Sequence, residues 1–228
     1  MLIREGNAHY RVGRSDMQGW RLNMEDAMTV MLGMGEGRED WAFFGVFDGH
    51  AGFRASEFLG QQMHLRVCEL ADPFDPAQLI ECVCKLDADF ISDQDRRNDG
   101  STCVFAIMRP ANAAKTEFEL IVSNTGDSRV AIIRKETGEC VSMTEDHKPN
   151  DEAEELRIKA AGGFVQMNRT DGQLAMSRAI GDYQYKYVKW FAWLCGAREV
   201  AFNARVCVGI EVALLPWRSL LGRSIGCC

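Results

Sequence analysis

A layered α+β domain built mostly on antiparallel sheets is the fold this sequence predicts, and three observations carry the prediction. Short runs rich in β-forming residues recur between glycine and polar turns. Two longer runs place apolar residues three or four apart. With 46% of its 228 residues apolar, the chain can also fill a substantial core. Strands, two helices, strands, a helix and further strands follow in that order, which suits segregated layers.

The first strands are YRVGRSDM (10–17), AMTVMLGM (27–34) and WAFFGVFD (41–48), each ending at a glycine or polar turn. Over residues 52–67, Ala55, Leu59, Met63 and Val67 recur every four residues and so line one face of a helix. A second helix follows Pro76, with Leu79, Val83, Leu86 and Phe90 as its stripe. STCVFAIMR (101–109) and FELIVSN (118–124) return to the β pattern. The turn Thr125-Gly126-Asp127-Ser128 leads into RVAIIR (129–134) and predicts a tight hairpin. Asn150 and Asp151, then Glu152, Glu154 and Glu155, supply a cap and first-turn acids for a third helix, which Gly162-Gly163 ends.

Past residue 185 the composition changes. Residues 186–228 hold Lys186, Lys189, Arg198, Arg205, Arg218 and Arg223 against only Glu199 and Glu211, with three of the five tryptophans and four of the nine cysteines. The expected organisation is one domain over 1–185 and a divergent basic tail over 186–228. Within the tail, every second residue from Val200 to Val212 is apolar, the pattern of one half-buried strand that could pair with a sheet edge.

A formal charge of −7 and a sequence pI of about 5.2 argue against a nucleic-acid backbone as the main partner. Acting on anionic phosphopeptides would then require local cations, such as metals or an arginine. No apolar run is long enough to predict a transmembrane helix, and Met1-Leu2-Ile3-Arg4-Glu5 lacks the apolar region of a secretory signal. The nine cysteines show no paired metal spacing and read as reduced thiols, which predicts a cytoplasmic or nuclear protein.

Asp48 closes WAFFGVFD and is followed by Gly49 and His50, while Glu25 and Asp26 stand just ahead of AMTVMLGM. If the two strands pair, the carboxylates at their ends converge. Close like charges cost several kcal/mol unless a cation sits among them. Hard oxygen donors without a Cys or His pairing favour Mg²⁺ or Mn²⁺ over zinc. Each string is weak alone, since a lone acid is more often solvated and a lone histidine more often structural.

Eight strings arrive in order: GWRLNMEDAM, FFGVFDGHAG, DGSTCVFAI, SNTGDSRVAIIR, TEDHKPN, Leu156-Arg157-Ile158, AGGFV and GQLAMSRAIGDYQYK. Together they resemble the successive motifs of the type-2C metal-dependent protein serine/threonine phosphatases, over roughly residues 9–187. The resemblance implies a central sandwich of two antiparallel β-sheets flanked by α-helices, with two Mg²⁺ or Mn²⁺ ions in a cleft at one end. It implies that Asp48 bridges both ions, that the Gly49 carbonyl is a ligand, and that Glu25 and Asp26 bind metal directly or through water. Arg21 would hold the substrate phosphate and His50 would be the general acid, in a monomer acting on phosphoprotein substrates.

The residue types suit that chemistry. A water between two cations loses its proton near neutral pH and can attack phosphorus in line. The Arg21 fork matches two phosphate oxygens, and an imidazole titrates near the working pH. Asp127, Arg129, Arg178 and Asp182 are expected to lock loops or support the site rather than catalyse. Asp146 and His147 are expected as turn-makers near the cleft, and Asp95 and Asp99 could flank a weaker third metal site.

One departure stands against the pattern. The family continues with a DGxWD box and an RDN box whose aspartates complete the two-metal site. Neither box is present, and no Asp follows Asp182. The expectation is therefore a fold missing the last part of the usual domain, with one ion retained. Its function is then an impaired phosphatase or, as the alternative, an inactive pseudophosphatase that serves as a binding module.

Overall fold

The structure, a computed structural model, describes residues 2–96, 98–134, 136–186, 200–207 and 210–215. β1 (Leu2–Gly6) and β2 (Arg11–Ser15) form a small antiparallel hairpin. β3 (Asp26–Leu32) pairs along its whole length with β4 (Ala42–His50), which leads into α1 (Arg54–Cys68) and α2 (Pro76–Ser92). β5 (Gly100–Ser101), β6 (Cys103–Pro110) and β7 (Glu117–Thr125) return to the same sheet. β8 (Arg129–Arg134) and β9 (Cys140–Ser142) belong to another. Then come α3 (Glu152–Ala160), the two-stranded ladder of β10 (Val165–Gln166) and β11 (Arg169–Thr170), β12 (Ile180–Gly181) and α4 (Tyr183–Lys186). β13 (Val200–Cys207) and β14 (Ile210–Leu215) complete the described elements.

The larger sheet has seven strands in the order β12-β5-β4-β6-β7-β13, with β3 also on β4; the smaller has the order β14-β8-β9. Every described pairing is antiparallel. The larger sheet separates two cores. On one face Phe43, Phe47, Phe105 and Ile107 pack against Leu59 and Met63 of α1 and Leu79 and Leu86 of α2. On the other, Val46, Val104, Leu120 and Val122 meet Val130 and Ile132 of β8 and Met143 just past β9. Side chains alternate along a strand, so β4 sends Phe47 to the helices and Val46 into the sandwich. A strand buried on both faces reads as a continuous apolar run, which is what WAFFGVFD is. Each such side chain contributes roughly 1.5–3 kcal/mol by burial.

Both long helices form where the four-residue stripes lie, and Ala55, Leu59, Met63, Val67, Leu79, Val83, Leu86 and Phe90 are all buried. Asp75 caps α2 by accepting from the Ala77 N–H at 2.9 Å. At the end of α3, Gly162 (φ +80) donates to the Lys159 carbonyl and Gly163 to that of Ile158, so the last turn closes on itself.

The tight hairpin expected at Thr125–Ser128 does not form, because β7 and β8 lie in different sheets. Gly126 turns the chain at φ +106, and a hydroxyl–hydroxyl bond of 2.7 Å between Thr102 and Ser128 pins the turn to the larger sheet. Val130 and Ile132 can then bury against that sheet's face, which removes more apolar surface from water than an exposed ribbon would. The tail also differs from expectation. The single strand anticipated over 200–212 is divided into β13, which extends the larger sheet beside β7, and β14, which pairs with β8 in the smaller one. Tail residues 187–199, 208–209 and 216–228 lie outside the described residues.

Candidate active site

The β3–β4 register places Asp26 directly opposite Asp48, at the end of both strands. Period-two alternation puts them on the face that carries Met28 and Val46, so the two carboxylates sit at one end of the sandwich interior. Directly opposed residues have Cβ atoms about 4.5–5.5 Å apart, close enough for the acids to interact strongly. Asp48 is 5% exposed. Burial, then the charges of Asp26 and Asp127, pushes its carboxyl up to about 7. Burial raises Asp26 as well. Two like charges sharing so little water favour one proton between them until a cation arrives.

The backbone around the pair is fixed at several points. The Asp48 N–H donates to Thr102 Oγ1 at 2.9 Å, and the Thr102 N–H returns a bond to the Asp48 carbonyl at 3.0 Å. The Gly49 N–H donates to the Glu25 carbonyl at 3.1 Å, and the Ser56 hydroxyl donates to that same oxygen. A Cβ on Gly49 would lie 2.3 Å from the Glu25 oxygen, so only glycine lets the strand ends close. A cleft of about 400 Å³ opens beside Asp26, lined by Arg14, Met24, Met28, Phe53 and Ser56 among others.

The other expected residues are placed as follows. Arg21, on the loop before β3 and half exposed, bonds Glu25 Oε2 through Nη2 at 3.2 Å. Glu25 therefore turns its carboxylate to Arg21, while Asp26 faces Asp48. His50 Nε2 lies 2.7 Å from Asp182 Oδ2, and its Nδ1 is buried with no hydrogen-bond partner. Burial opposes the charged ring, but Asp182, Asp48 and Asp127 outweigh it and raise the His50 pKa.

The supporting acids are engaged. Asp127 bonds the Lys148 ammonium, and Asp146 receives both arms of Arg129 at 2.6 and 3.0 Å. The Asp99 carboxylate accepts the Arg54 N–H at 3.1 Å at the start of α1, and the Asp95 carbonyl takes the Arg54 guanidinium. The role of Asp182 was not legible in the sequence. It is 132 positions from His50, and no local spacing joins them.

Among the described residues, no group of three or more His, Cys, Asp or Glu side chains is gathered to hold a metal ion. The acids meet as a pair. The chemistry of that pair nonetheless fits Mg²⁺ or Mn²⁺: two hard oxygen donors, Asp48 buried and Asp26 half-buried beside the cleft, face each other with their repulsion unrelieved. Mg²⁺ keeps several waters and needs only one or two carboxylates.

A family profile described as Protein phosphatase 2C matches residues 10–207, past the boundary expected at 185 and through β13. A probable protein phosphatase 2C of Caenorhabditis elegans is 38% identical over 186 residues, covering 79% of this chain and 49% of that protein. Protein phosphatase 1B of Rattus norvegicus is 38% identical over 206 residues, covering 80% of this chain and 50% of that protein. The chain thus spans about half the length of these relatives. A solved phosphatase from a pathogenic strain of Toxoplasma gondii shares the fold with a TM-score of 0.75 at 23% identity, covering 86% of this chain and 72% of that one.

Proposed function

We propose a reaction from one premise: the chain belongs to the protein phosphatase 2C family. The relatives it matches are protein phosphatases, and the family is metal-dependent in general. The reading is a Mg²⁺- or Mn²⁺-dependent hydrolysis of phosphoserine and phosphothreonine in phosphoproteins. The observation that supports it most is the opposed Asp26–Asp48 pair, whose charge asks for a cation from outside the chain.

In this reading Asp48 and Asp26 hold the metal from adjacent strands, with the Gly49 carbonyl beside them. When bound, the cations supply positive charge for the phosphoryl oxygens and an acidified water. Arg21, half exposed beside Glu25, would grip two phosphate oxygens. His50 gives a proton to the departing serine or threonine oxygen. Free thiols at Cys68, Cys82, Cys84, Cys103 and Cys140 support a reducing compartment, cytoplasmic or nuclear.

A second reading is a pseudophosphatase that binds phosphoproteins without turnover. It is favoured by the meeting of two carboxylates rather than three or more among the described residues. Hydrolysis of p-nitrophenyl phosphate and a phosphothreonine peptide by the 228-residue chain, with and without Mn²⁺ and beside Asp48→Asn, separates the two. Turnover that needs metal and disappears in the variant supports the enzyme. Equal background in all three samples removes it and leaves the binding module.

A further inference from the structure

His50 uses one ring nitrogen on Asp182 and leaves the other without a partner. Asp182 is 3% exposed, and its backbone sits at φ +51, the left-handed region that Asp and Asn tolerate better than most residues but still under strain. The surrounding chain holds it there. Its N–H donates to the Asp99 carbonyl at 3.0 Å, and its own carbonyl accepts from the Tyr185 N–H at 3.0 Å.

Two glycines clear the space for the contact. A Cβ on Gly100 would lie 2.3 Å from His50 Nε2 and 2.5 Å from the Asp182 carboxyl carbon, so the two side chains meet over its bare Cα. A Cβ on Gly181, at φ +82, would lie 2.2 Å from the Asp99 carbonyl oxygen. A strained residue, two obligatory glycines and a buried carboxylate all converge on one imidazole nitrogen. A carboxylate in that place accepts from Nε2–H and so fixes both the ring's orientation and its tautomer.

We infer that Asp182 is a positioning residue: it holds His50 by Nε2 so that Nδ1 is the atom that passes the proton to the leaving oxygen. The inference rests on the reading of His50 as proton donor in the phosphatase reaction. The step balances. The P–O bond electrons go to the serine or threonine oxygen, the Nδ1–H bond breaks, a new O–H bond forms, and the neutral ring keeps Nε2–H on Asp182. It also gives the partnerless Nδ1 a role, since a buried polar atom without a hydrogen bond is otherwise unfavourable.

Two measurements on the full chain test it. The first is long-range ¹H–¹⁵N correlation of the His50 ring in metal-free protein, at a pH where the ring is neutral. Nε2–H is expected in the native protein. In Asp182→Gly, which suits φ +51 and removes the carboxylate, that preference is expected to be lost. Nδ1–H in the native protein, or no change in the variant, overturns the inference.

The second measurement is leaving-group dependence with Mn²⁺. Asp182→Asn and His50→Gln are each expected to lower kcat/KM for phenyl phosphate by about 10²-fold, but that for p-nitrophenyl phosphate, whose leaving group departs unprotonated, by no more than about threefold. Equal losses on both substrates in Asp182→Asn would mean a merely structural role. If His50→Gln itself shows no leaving-group dependence, the proton-donor reading falls instead, and the ring spectrum still decides whether Asp182 fixes the tautomer.

Discussion

Glu154 and Asp48 are both carboxylates taken out of water, and their surroundings move them in opposite directions. Glu154 receives Arg178 at 2.6 and 3.0 Å and Arg157 at 2.5 and 2.9 Å. Burial pushes it upward, but the two guanidiniums win and hold it well below the usual carboxylate range. Asp87 is matched similarly, with Lys186 Nζ at 2.6 Å from both of its oxygens. Asp48 instead faces Asp26 and is pushed up to about 7. Where the chain supplies its own cations, the acid locks α3 to the loop of Arg178, or α2 to α4. Where it supplies none, the pair favours a shared proton, and the repulsion is left for protonation or a cation to relieve.

The largest expected effect tests the locked side. Glu154→Gln removes the charge that both arginines grip and should cost about 3–5 kcal/mol in urea unfolding. A loss under about 1 kcal/mol would show that the cluster is not a lock and would erase the contrast.

Acidification comes next. The His147 Nδ1 accepts the Gly126 N–H at 3.0 Å, and burial, with Arg178 nearby, pushes its pKa down to about 4. Between that value and the ordinary 6.5, the unfolded chain binds the extra proton. Stability from this residue is therefore complete above pH 6.5 and is lost as pH falls through 4, a change of about 3 kcal/mol. Glu154, also depressed, adds its own loss at lower pH. Denaturant midpoints measured from pH 7 to 4 should show the fall, and His147→Asn should flatten its upper part.

Asp48→Asn should lower metal-dependent turnover by more than the roughly 10–100-fold that losing an outer partner of a metal ligand costs. The same change should raise the metal-free melting temperature, because it removes one of two repelling charges. Opposite signs for Asp48→Asn and Glu154→Gln would sharpen the comparison; a fall in both would break it. The smallest effect is ligand stabilisation. Mn²⁺ at ten times its Kd should add about 1.4 kcal/mol to the native chain, roughly 3–6 °C, and nothing to Asp48→Asn.

Much of the fold was legible beforehand, for a local reason. Ala55, Leu59, Met63 and Val67 share a helix face because of their spacing alone, and all four are buried. The run ending at Asp48 read as a strand because both its faces are apolar. What failed was pairing. RVAIIR was recognisable as a strand, yet its sheet was not, since burying Val130 and Ile132 against a face is decided by residues far along the chain. The hairpin strand β1 carried no alternation strong enough to read, with four of its five residues exposed. Tail strands β13 and β14 shared one alternating pattern, and only their partners β7 and β8 separated them.

The site divides along the same line. The family resemblance, not spacing or residue type alone, singled out Asp48, Gly49, His50, Glu25, Asp26 and Arg21, and it could do so because the motifs holding them are contiguous. Three-dimensional packing alone settled that Asp26 faces Asp48 while Glu25 faces Arg21, that Asp99 takes the Arg54 N–H, and that Asp182 reaches His50. Periodicity acts between neighbours in the chain. Desolvation and Coulomb energies act between neighbours in space, so the charge state of each acid waits on the folded arrangement.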